Sequence, residues 1–479
     1  MQVKVIMLVK HIIVLDIVGL EPNHLESGLI PNIANIAAEG ESAKMEPVFP
    51  ALTCPVQSSI LSGTYPNQHG IIANGLYDRS NYFPSFWEQS SALVQVDRIW
   101  DIIKKQKKYH HRQQNKSPSS SSFSTSSPHS SSFSSFKTAV LFWQNTMYAK
   151  SDIIVTPRPL HMEDGRMIMW CYSKPAGFYD RELKQRFGEF NLATYWGPFA
   201  SFKSSEWIAS ATEYTLEKER PNLIFTYLPH IDYSAQRFGK NSVQVKDDLK
   251  KADDVVGKVI QKTVDLGIKE DTQFIILSEY GFNDVQTATP LNLKLRDEGL
   301  LYTRTIDGKE YIDYEFSDAF AMVDHQIAHI YVKDSFVSQA KRVLENTTGV
   351  DMILCKEEKK NLKIDHERSG EIIAISDKDK WFSYYWWYDS EKAPSFARKV
   401  DIHRKPGYDP VELLADPKTK SIPLDPELIK GSHGRPSDPR TDEGYSVYIS
   451  SRKSGILKSN SPGTINCVNL GRYLINLIA

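Results

Sequence analysis

Residues 49–74 read FPALTCPVQSSILSGTYPNQHGIIAN, the most informative stretch of the chain. Thr53 and Pro55 stand just before residues 56–61, a segment that can start a helix, because proline lacks only an N–H that is unpaired in the first turn. A hydroxyl placed there faces free backbone N–H groups and the positive end of the helix dipole, which together suit a phosphate. The alternative is a threonine that only caps the helix, and the remaining sequence must decide between the two.

The composition indicates a globular protein without a strong charge bias. The chain has 479 residues, 41% of them hydrophobic, and a net charge of -1. A large core is therefore expected, and no electrostatic feature indicates a nucleic-acid-binding or membrane-binding surface. The four cysteines are far apart and form no CxxC pair, which argues against a disulfide framework and favours a reducing compartment.

The apolar N-terminal stretch lacks the form of a signal peptide. Lys4, Lys10 and His11 interrupt it, and no small-residue cleavage site follows. The sequence contains no run of ~20 apolar residues, so it predicts no membrane span. We therefore expect a soluble intracellular protein, whose oligomeric state the sequence leaves open.

Short apolar runs alternate with amphipathic segments along the chain, which predicts an α/β protein with a mainly parallel sheet. Apolar runs bounded by turn residues predict strands at residues 11–15, 43–48, 138–143, 222–227, 273–277, 319–323 and 328–332. Helical spacing of apolar residues predicts helices at residues 32–38, 94–107, 205–217, 245–259 and 335–345.

Residues 111–136 are of low complexity and dominated by serine. Such a composition cannot bury enough surface to offset its ordering entropy, so a disordered insertion is predicted. The insertion separates a predicted helix from a predicted strand, which favours a single domain spanning residues 1–479. A domain boundary at the serine-rich segment is the alternative.

Four acidic or hydroxyl side chains fall at or just beyond the ends of predicted strands: Asp16, Thr53, Asp232 and Glu279. Because ligands of open parallel sheets bind at the carboxyl ends of the strands, we expect these side chains to lie together, with the glycine-flanked His433 beside them. Carboxylates with imidazole suit zinc or manganese, and the carboxylates alone also suit magnesium. Two such ions would stabilise the attacking and leaving oxygens of a phosphoryl transfer.

The sequence resembles the type I phosphodiesterase/nucleotide pyrophosphatase family of the alkaline phosphatase superfamily. The resemblance runs in the same order from about residue 11 to residue 435, and its strongest part is Phe49-Pro50-x-x-Thr53-x-Pro55, Ser62-Gly63-Thr64-Tyr65-Pro66, His69-Gly70-Ile71-Ile72 and Asn74. It implies an alkaline-phosphatase-like catalytic domain, with a mainly parallel sheet flanked by helices. A smaller cap or insert region, in residues 148–202 or after Val350, would set specificity.

The resemblance also implies roles for individual residues. Thr53 matches the nucleophile, and Asn74 lies 21 residues later, where the family has the asparagine that helps to hold a phosphoryl oxygen. Asp16 matches a carboxylate of the first metal. Asp232 and His433 match ligands of the second metal.

Two positions depart from the family pattern. Glu279 and Tyr280 stand where the family usually has Asp-His, and Gln236 replaces the histidine four residues after the second-metal aspartate. One imidazole is thus missing from each metal site, which shifts the expected pair of divalent ions from zinc towards manganese or magnesium. Substitute ligands or substrate contacts could come from Gln236, Tyr280, His230, His325, His329 and His403.

The first functional hypothesis is a metal-dependent hydrolase of phosphodiester or phosphoanhydride bonds that uses Thr53 on a phosphorylated small molecule or a nucleotide. The second is a catalytically weakened family member that binds a phosphorylated ligand or a protein partner, and the missing histidines motivate it. A phosphomonoesterase, a phosphonate hydrolase or a phosphomutase would also suit this fold, since a fold does not determine the leaving group.

Overall fold

The computed structural model describes residues 9–114, 136–164, 166–457 and 463–478. Its α-helices are α1 (Pro31–Glu39), α2 (Thr53–Ser62), α3 (Pro66–His69), α4 (Ile99–Gln114), α5 (Lys184–Phe187), α6 (Leu192–Tyr195), α7 (Lys203–Glu219), α8 (His230–Phe238), α9 (Val243–Asp265), α10 (Leu291–Asp297), α11 (Val337–Glu345), α12 (Lys356–Asn361) and α13 (Cys467–Ile478). Its strands are β1 (His11–Ile17), β2 (Glu41–Glu46), β3 (Gly75–Asp78), β4 (Phe83–Phe86), β5 (Thr138–Leu141), β6 (Ile153–Pro157), β7 (Leu160–His161), β8 (Met167–Ile168), β9 (Cys171–Lys174), β10 (Leu223–Leu228), β11 (Thr272–Leu277), β12 (Asn283–Asp284), β13 (Thr287–Pro290), β14 (Thr303–Ile306), β15 (Lys309–Ile312), β16 (Ala319–Asp324), β17 (Ile327–Val332), β18 (Val350–Leu354), β19 (Ile372–Ser376), β20 (Lys380–Ser383), β21 (Gly431–Ser432), β22 (Ser446–Ser450) and β23 (Thr464–Asn466).

A nine-stranded sheet forms the centre of the protein, in the order β23-β2-β22-β11-β1-β10-β5-β6-β9. Only β22 and β9 run antiparallel to their neighbours, so the prediction of a mainly parallel α/β sheet is confirmed. The central strand β1 pairs in parallel with both β10 and β11. All residues of β10 and β11 are buried, as expected for strands covered by helices on both faces.

Helices cover this sheet close to the predicted positions. Helix α7 packs against α9 and β10, and α13 packs against α2. Helix α4 begins at Ile99 rather than at residue 94, because Asp101 accepts the backbone N–H of Arg98 at 3.0 Å and caps the helix there. It extends to Gln114 and so includes the first residues of the predicted serine-rich insertion, whereas residues 115–135 lie outside the described part of the chain. Among the described residues, no helix is both long enough and apolar enough to cross a membrane.

The strands predicted at residues 319–323 and 328–332 do not join the central sheet. They form the hairpin β16–β17 within a second, antiparallel sheet of order β16-β17-β19-β18. The two residues between them, His325 and Gln326, form the tight turn, with His325 at a φ of 59°. A turn this short can join only antiparallel neighbours, whereas parallel strands need a long crossover. This hairpin places Asp324 beside Asn74 and His325 beside His433.

Candidate active site

Thr53 is the first residue of α2, and its hydroxyl oxygen lies 3.0 Å from the hydroxyl oxygen of Tyr280. Leu52 occupies the N-cap position in an extended conformation, without a side-chain capping bond. Thr53 is therefore not the N-cap residue of α2, and its catalytic role stays a prediction. Pro55 is the third helical residue, still within the turn whose N–H groups lack partners in the helix. Thr53 is only 2% exposed.

A chain of hydrogen bonds leads away from the Thr53 hydroxyl. The hydroxyl of Tyr280 donates to Asp232 Oδ1 at 3.3 Å, so Thr53 donates its own proton to the Tyr280 oxygen. Burial raises the pKa of Tyr280 well above its usual range, which keeps this hydroxyl protonated. The Tyr280 ring stacks on the His433 ring, with centroids 3.5 Å apart and planes 9° from parallel.

Asp16 and Glu279 bring two carboxyl groups to the ends of adjacent strands. Asp16 on β1 lies opposite Leu277, the last residue of β11, so Glu279 follows two residues later at the same edge. Both acidic side chains are completely buried. Gln57 donates from Nε2 to Asp16 Oδ2 at 3.2 Å. Within the described part of the chain, Asp16 Oδ1 and both oxygens of Glu279 have no hydrogen-bond partner.

These two carboxyl groups lack the positive charge that their burial calls for. Burial and the charge of Glu279 raise the pKa of Asp16 well above its usual range, and burial raises the pKa of Glu279 to about 7. Buried carboxylates are costly unless they are paired or coordinate a metal. Two carboxylates at one point, with no imidazole, fit a hard divalent cation such as Mg²⁺ or Mn²⁺, which is often held by one or two carboxylates and the phosphates of the substrate.

Asp232 lies in the first turn of α8, and both of its oxygens are engaged. Oδ1 accepts the Tyr280 hydroxyl, and Oδ2 accepts Nε2 of Gln236 at 2.6 Å. The amide oxygen of Gln236 in turn accepts the hydroxyl of Tyr408 at 2.9 Å. Burial and the charge of Glu279 raise the pKa of Asp232 to about 8.

His433 is a buried, neutral histidine. Its Nδ1 donates to a backbone carbonyl, that of Ala51, at 2.8 Å, while its Nε2 lies 3.7 Å from Asp232 Oδ1. Burial and the neighbouring His325 lower the pKa of His433 well below its usual range. In the part of the chain that the structure describes, no three His, Cys, Asp or Glu side chains are grouped so that they could hold a metal ion.

Asn74 is held beside the start of α2 by Asp324. The backbone N–H and the side-chain Nδ2 of Asn74 donate to the two oxygens of Asp324 at 2.8 and 3.2 Å. The amide oxygen of Asn74 accepts the backbone N–H of Cys54 at 3.0 Å. An amide group has two N–H donors, so Nδ2 keeps one for a ligand beside Thr53. Burial raises the pKa of Asp324 to about 7.

Of the other histidines predicted as ligands or substrate contacts, only His325 contacts the site residues described above. Its ring stacks between Tyr408 and His433, at centroid distances of 3.8 and 3.9 Å, and its Nδ1 lies 2.8 Å from Asp324. The remaining three histidines contact residues outside the site. His230 Nε2 lies 3.3 Å from Asp248, and the ring nitrogens of His329 form hydrogen bonds with the backbone of Ile72 and Gly370. The exposed His403 forms a hydrogen bond with the carbonyl of Phe86.

Three residues of the site were not predicted from the sequence: Gln57, Asp324 and Tyr408. Gln57 follows Thr53 by one helical turn, so the helical period could have placed it on the same face. Asp324 follows a predicted strand, which is the signal that identified Asp16. Tyr408 carries no local signal, because only the tertiary fold brings it to Gln236.

The predicted cap segments both reach this neighbourhood. Tyr408 belongs to the segment after Val350, and Trp196 belongs to residues 148–202. The Trp196 ring lies 5.5 Å from the ring of Tyr408 and 5.4 Å from that of Tyr233, centroid to centroid. The two segments therefore contact each other next to α8, through the rings of Trp196 and Tyr408.

Comparison with known proteins identifies the family. Residues 12–409 match the family model described as type I phosphodiesterase / nucleotide pyrophosphatase, which covers most of the chain. The protein therefore belongs to this family, as the resemblance implied. An uncharacterised pyrophosphatase/phosphodiesterase of Schizosaccharomyces pombe is 21% identical over 284 residues, which are 56% of this chain and 44% of the relative.

Two solved structures share the fold over nearly their whole length. Phosphonoacetate hydrolase from Sinorhizobium meliloti 1021, in complex with phosphonoformate, superposes with a TM-score of 0.59 at 16% identity, covering 99% of this chain and 97% of that one. Murine ectonucleotide pyrophosphatase/phosphodiesterase 5, as an inactive threonine-to-alanine variant in complex with AMP, gives a TM-score of 0.59 at 14% identity, covering 98% and 95%. These likenesses confirm the alkaline-phosphatase-like α/β fold. The chain spans half or less of the length of the curated relatives that it matches over the longest segments.

Proposed function

We propose that the protein hydrolyses phosphodiester or phosphoanhydride bonds of phosphorylated small molecules or nucleotides, with Thr53 as the nucleophile. The observation that carries the proposal is the buried Thr53 hydroxyl at the start of α2, hydrogen-bonded to Tyr280 and through it to Asp232. A hydroxyl is a poor nucleophile unless a neighbouring group takes its proton. Here the acceptor is already in place.

In the first step, Thr53 Oγ1 forms a bond to phosphorus while the bond from phosphorus to the leaving oxygen breaks. The leaving oxygen keeps the electron pair of the broken bond. The Thr53 proton passes to the Tyr280 oxygen as the Tyr280 proton passes to Asp232 Oδ1. Only the ionised form of Asp232 can take this proton, and a carboxylate whose pKa is raised to about 8 is a stronger base than an ordinary carboxylate.

In the second step, water attacks phosphorus and the bond from phosphorus to Thr53 Oγ1 breaks. Asp232 returns its proton through Tyr280 to Thr53, and the proton lost by the water goes to the solvent. Asn74, with its remaining N–H, donates to a phosphoryl oxygen in both steps. A divalent cation held by Asp16, Glu279 and Thr53 would supply positive charge beside the phosphoryl group.

The family and its relatives favour a nucleotide-type substrate, since they are named pyrophosphatases and phosphodiesterases and one structural neighbour binds AMP. The neighbour that binds phosphonoformate makes a phosphonate an alternative substrate class. A second candidate function is binding of a phosphorylated ligand without turnover. The specific observation in its favour is that Tyr280 and Gln236 occupy Asp232, which the family uses as a metal ligand.

The test compares Thr53→Ala with the matched variant Thr53→Ser on bis(p-nitrophenyl) phosphate and p-nitrophenyl phosphate, with Mg²⁺, Mn²⁺ or Zn²⁺. We expect the diester to be the better substrate and Thr53→Ala to lower kcat by roughly 10³-fold or more, while Thr53→Ser keeps measurable turnover. Undiminished turnover by folded Thr53→Ala would refute the role of Thr53. Hydrolysis of neither compound by the wild type under all three metals would favour the binding function.

A further inference from the structure

The two halves of the site differ in the ligand atoms that they offer to a cation. The first half consists of Asp16, Glu279 and Thr53, and the second half consists of Asp232, Gln236 and His433. In the first half, three fully buried carboxylate oxygens have no hydrogen-bond partner among the described residues. In the second half, the corresponding atom is Nε2 of His433, and Nε2 of the adjacent, buried His325 also has no partner among the described residues. Two imidazole nitrogens without a free carboxylate oxygen fall short of the four or more ligands that a zinc or manganese ion requires.

The hydroxyl of Tyr280 takes the position at Asp232 that a cation would need. It lies within hydrogen-bond distance of both the Thr53 hydroxyl and Asp232 Oδ1, so it joins the nucleophile to the second-half carboxylate. In the family pattern, Tyr280 stands at a histidine position of the first metal. The longer tyrosine thus reaches across to the second half, where its neutral hydroxyl supplies a donor to Asp232.

Gln236 engages the other oxygen of the same carboxylate. Its Nε2 donates to Asp232 Oδ2 at 2.6 Å, and its amide oxygen accepts a hydrogen bond from the hydroxyl of Tyr408. The amide is therefore oriented with its donor, not its oxygen, towards Asp232. A cation at this point would face an N–H₂ group instead of a ligand.

Packing holds this arrangement in place. Tyr280 lies flat against His433, and His325 lies between His433 and Tyr408. All of these side chains are at most 4% exposed. Rotating Tyr280 away from Asp232 would break the stacking and two hydrogen bonds in a closely packed interior, where there is little room to move.

We propose that the protein binds one divalent cation per chain, at Asp16 and Glu279 beside Thr53, and that Tyr280 and Gln236 replace the second cation. The proposal rests on the proposed function only in taking Thr53 as the centre of the site. Instead of the two ions that were expected, the first half binds a cation, and in the second half the Tyr280 hydroxyl and the Gln236 amide donate hydrogen bonds to Asp232. The donor set consists of oxygen atoms, which favours Mg²⁺ or Mn²⁺ over Zn²⁺.

The test is the number of Mn²⁺ ions bound by the full chain, measured without substrate. Protein stripped with EDTA is equilibrated by dialysis against Mn²⁺, and bound metal is counted by elemental analysis. We expect one tightly held ion per chain in the wild type. Two ions, or none, would overturn the proposal.

Variants assign the ion to one half. Glu279→Gln and Asp16→Asn should each weaken Mn²⁺ binding by roughly 10²-fold or more, because each removes a charged ligand. His433→Gln, the matched control, should still bind one ion with wild-type affinity. The double variant Tyr280→His/Gln236→His should bind two ions, whereas Tyr280→Phe should bind one. Loss of the ion in His433→Gln, or wild-type affinity in Glu279→Gln, would overturn the assignment.

Circular dichroism and thermal unfolding of each variant identify any that fail to fold, and the wild-type count decides the proposal without them. The count is also independent of the proposed function. A wild type that binds one ion while Thr53→Ala keeps full activity would refute the nucleophile and leave the cation proposal standing. A wild type that binds two ions while Thr53→Ala is inactive would refute the cation proposal and leave the nucleophile standing.

Discussion

The first half of the site is short of positive charge, whereas the second half is satisfied by hydrogen bonds. Asp16 and Glu279 are buried, and three of their oxygens have no hydrogen-bond partner in the described part of the chain, whereas both oxygens of Asp232 accept bonds from neutral donors. Yet all three are carboxylates on neighbouring segments at one end of the same sheet. The difference comes from Tyr280 and Gln236, which supply an O–H and an N–H to the one carboxylate that they reach.

This contrast shows that two departures from a family pattern can act together. Considered singly, Tyr280 and Gln236 each look like the loss of a metal ligand. In the structure they bond to the two oxygens of a single carboxylate, so they change what that carboxylate binds. The same change provides the Thr53 hydroxyl with a route for its proton, through Tyr280 to Asp232.

The largest effect should come from removing the charge of the first half. We expect Glu279→Gln to lower kcat/KM for the chromogenic diester by roughly 10³-fold, since the cation that it helps to hold contributes several kcal/mol to the transition state. His433→Gln, which removes no ligand of the proposed cation, should lower kcat/KM by no more than roughly tenfold. Steady-state kinetics in excess Mn²⁺ measures both, and equal losses in the two variants would break the distinction between the halves.

Removing the bridging hydroxyl should have the next largest effect. Tyr280→Phe keeps the ring that stacks on His433 but interrupts the proton route from Thr53 to Asp232. We expect kcat to fall roughly 10²-fold, as is typical of losing general acid–base assistance, with little change in KM. A kcat equal to that of the wild type would show that the Thr53 proton leaves by another route.

A smaller effect is expected outside both halves, at Asp324. Asp324→Asn weakens the two hydrogen bonds that position Asn74, so kcat/KM should fall roughly tenfold. Because Asp324 acts through Asn74, the double variant Asp324→Asn/Asn74→Ala should lose no more activity than Asn74→Ala alone. Additive losses would contradict this positioning role.

The smallest effect is a shift in thermal stability. Mn²⁺ at 100 times its Kd should stabilise the wild type by about 2.7 kcal/mol, which raises Tm by a few degrees. Tyr280→Phe should show the same shift, and Glu279→Gln, with its roughly 10²-fold weaker binding, should gain no more than about 0.4 kcal/mol. Thermal unfolding with and without Mn²⁺ measures the shift, and a shift as large as that of the wild type in Glu279→Gln would place the cation elsewhere.

Much of the fold follows from local sequence. Apolar runs predicted β1, β10 and β11 to within two residues at each end, and their polar carboxyl ends identified Asp16 and Glu279. The pairing of β16 with β17 in a separate sheet was not predicted, since an apolar run does not reveal which sheet a strand joins. The hydrogen bonds from Thr53 through Tyr280 to Asp232 were not predicted either. Thr53 and Tyr280 are 227 positions apart in the sequence, and Tyr280 and Asp232 are 48 apart, so only tertiary packing brings them together.

The most direct measurement is an anomalous difference map from crystals of the full chain grown with Mn²⁺. We expect one peak per chain, between the carboxylates of Asp16 and Glu279, with the Tyr280 hydroxyl still at Asp232. A second peak beside Asp232 and His433, with Tyr280 displaced, would contradict it.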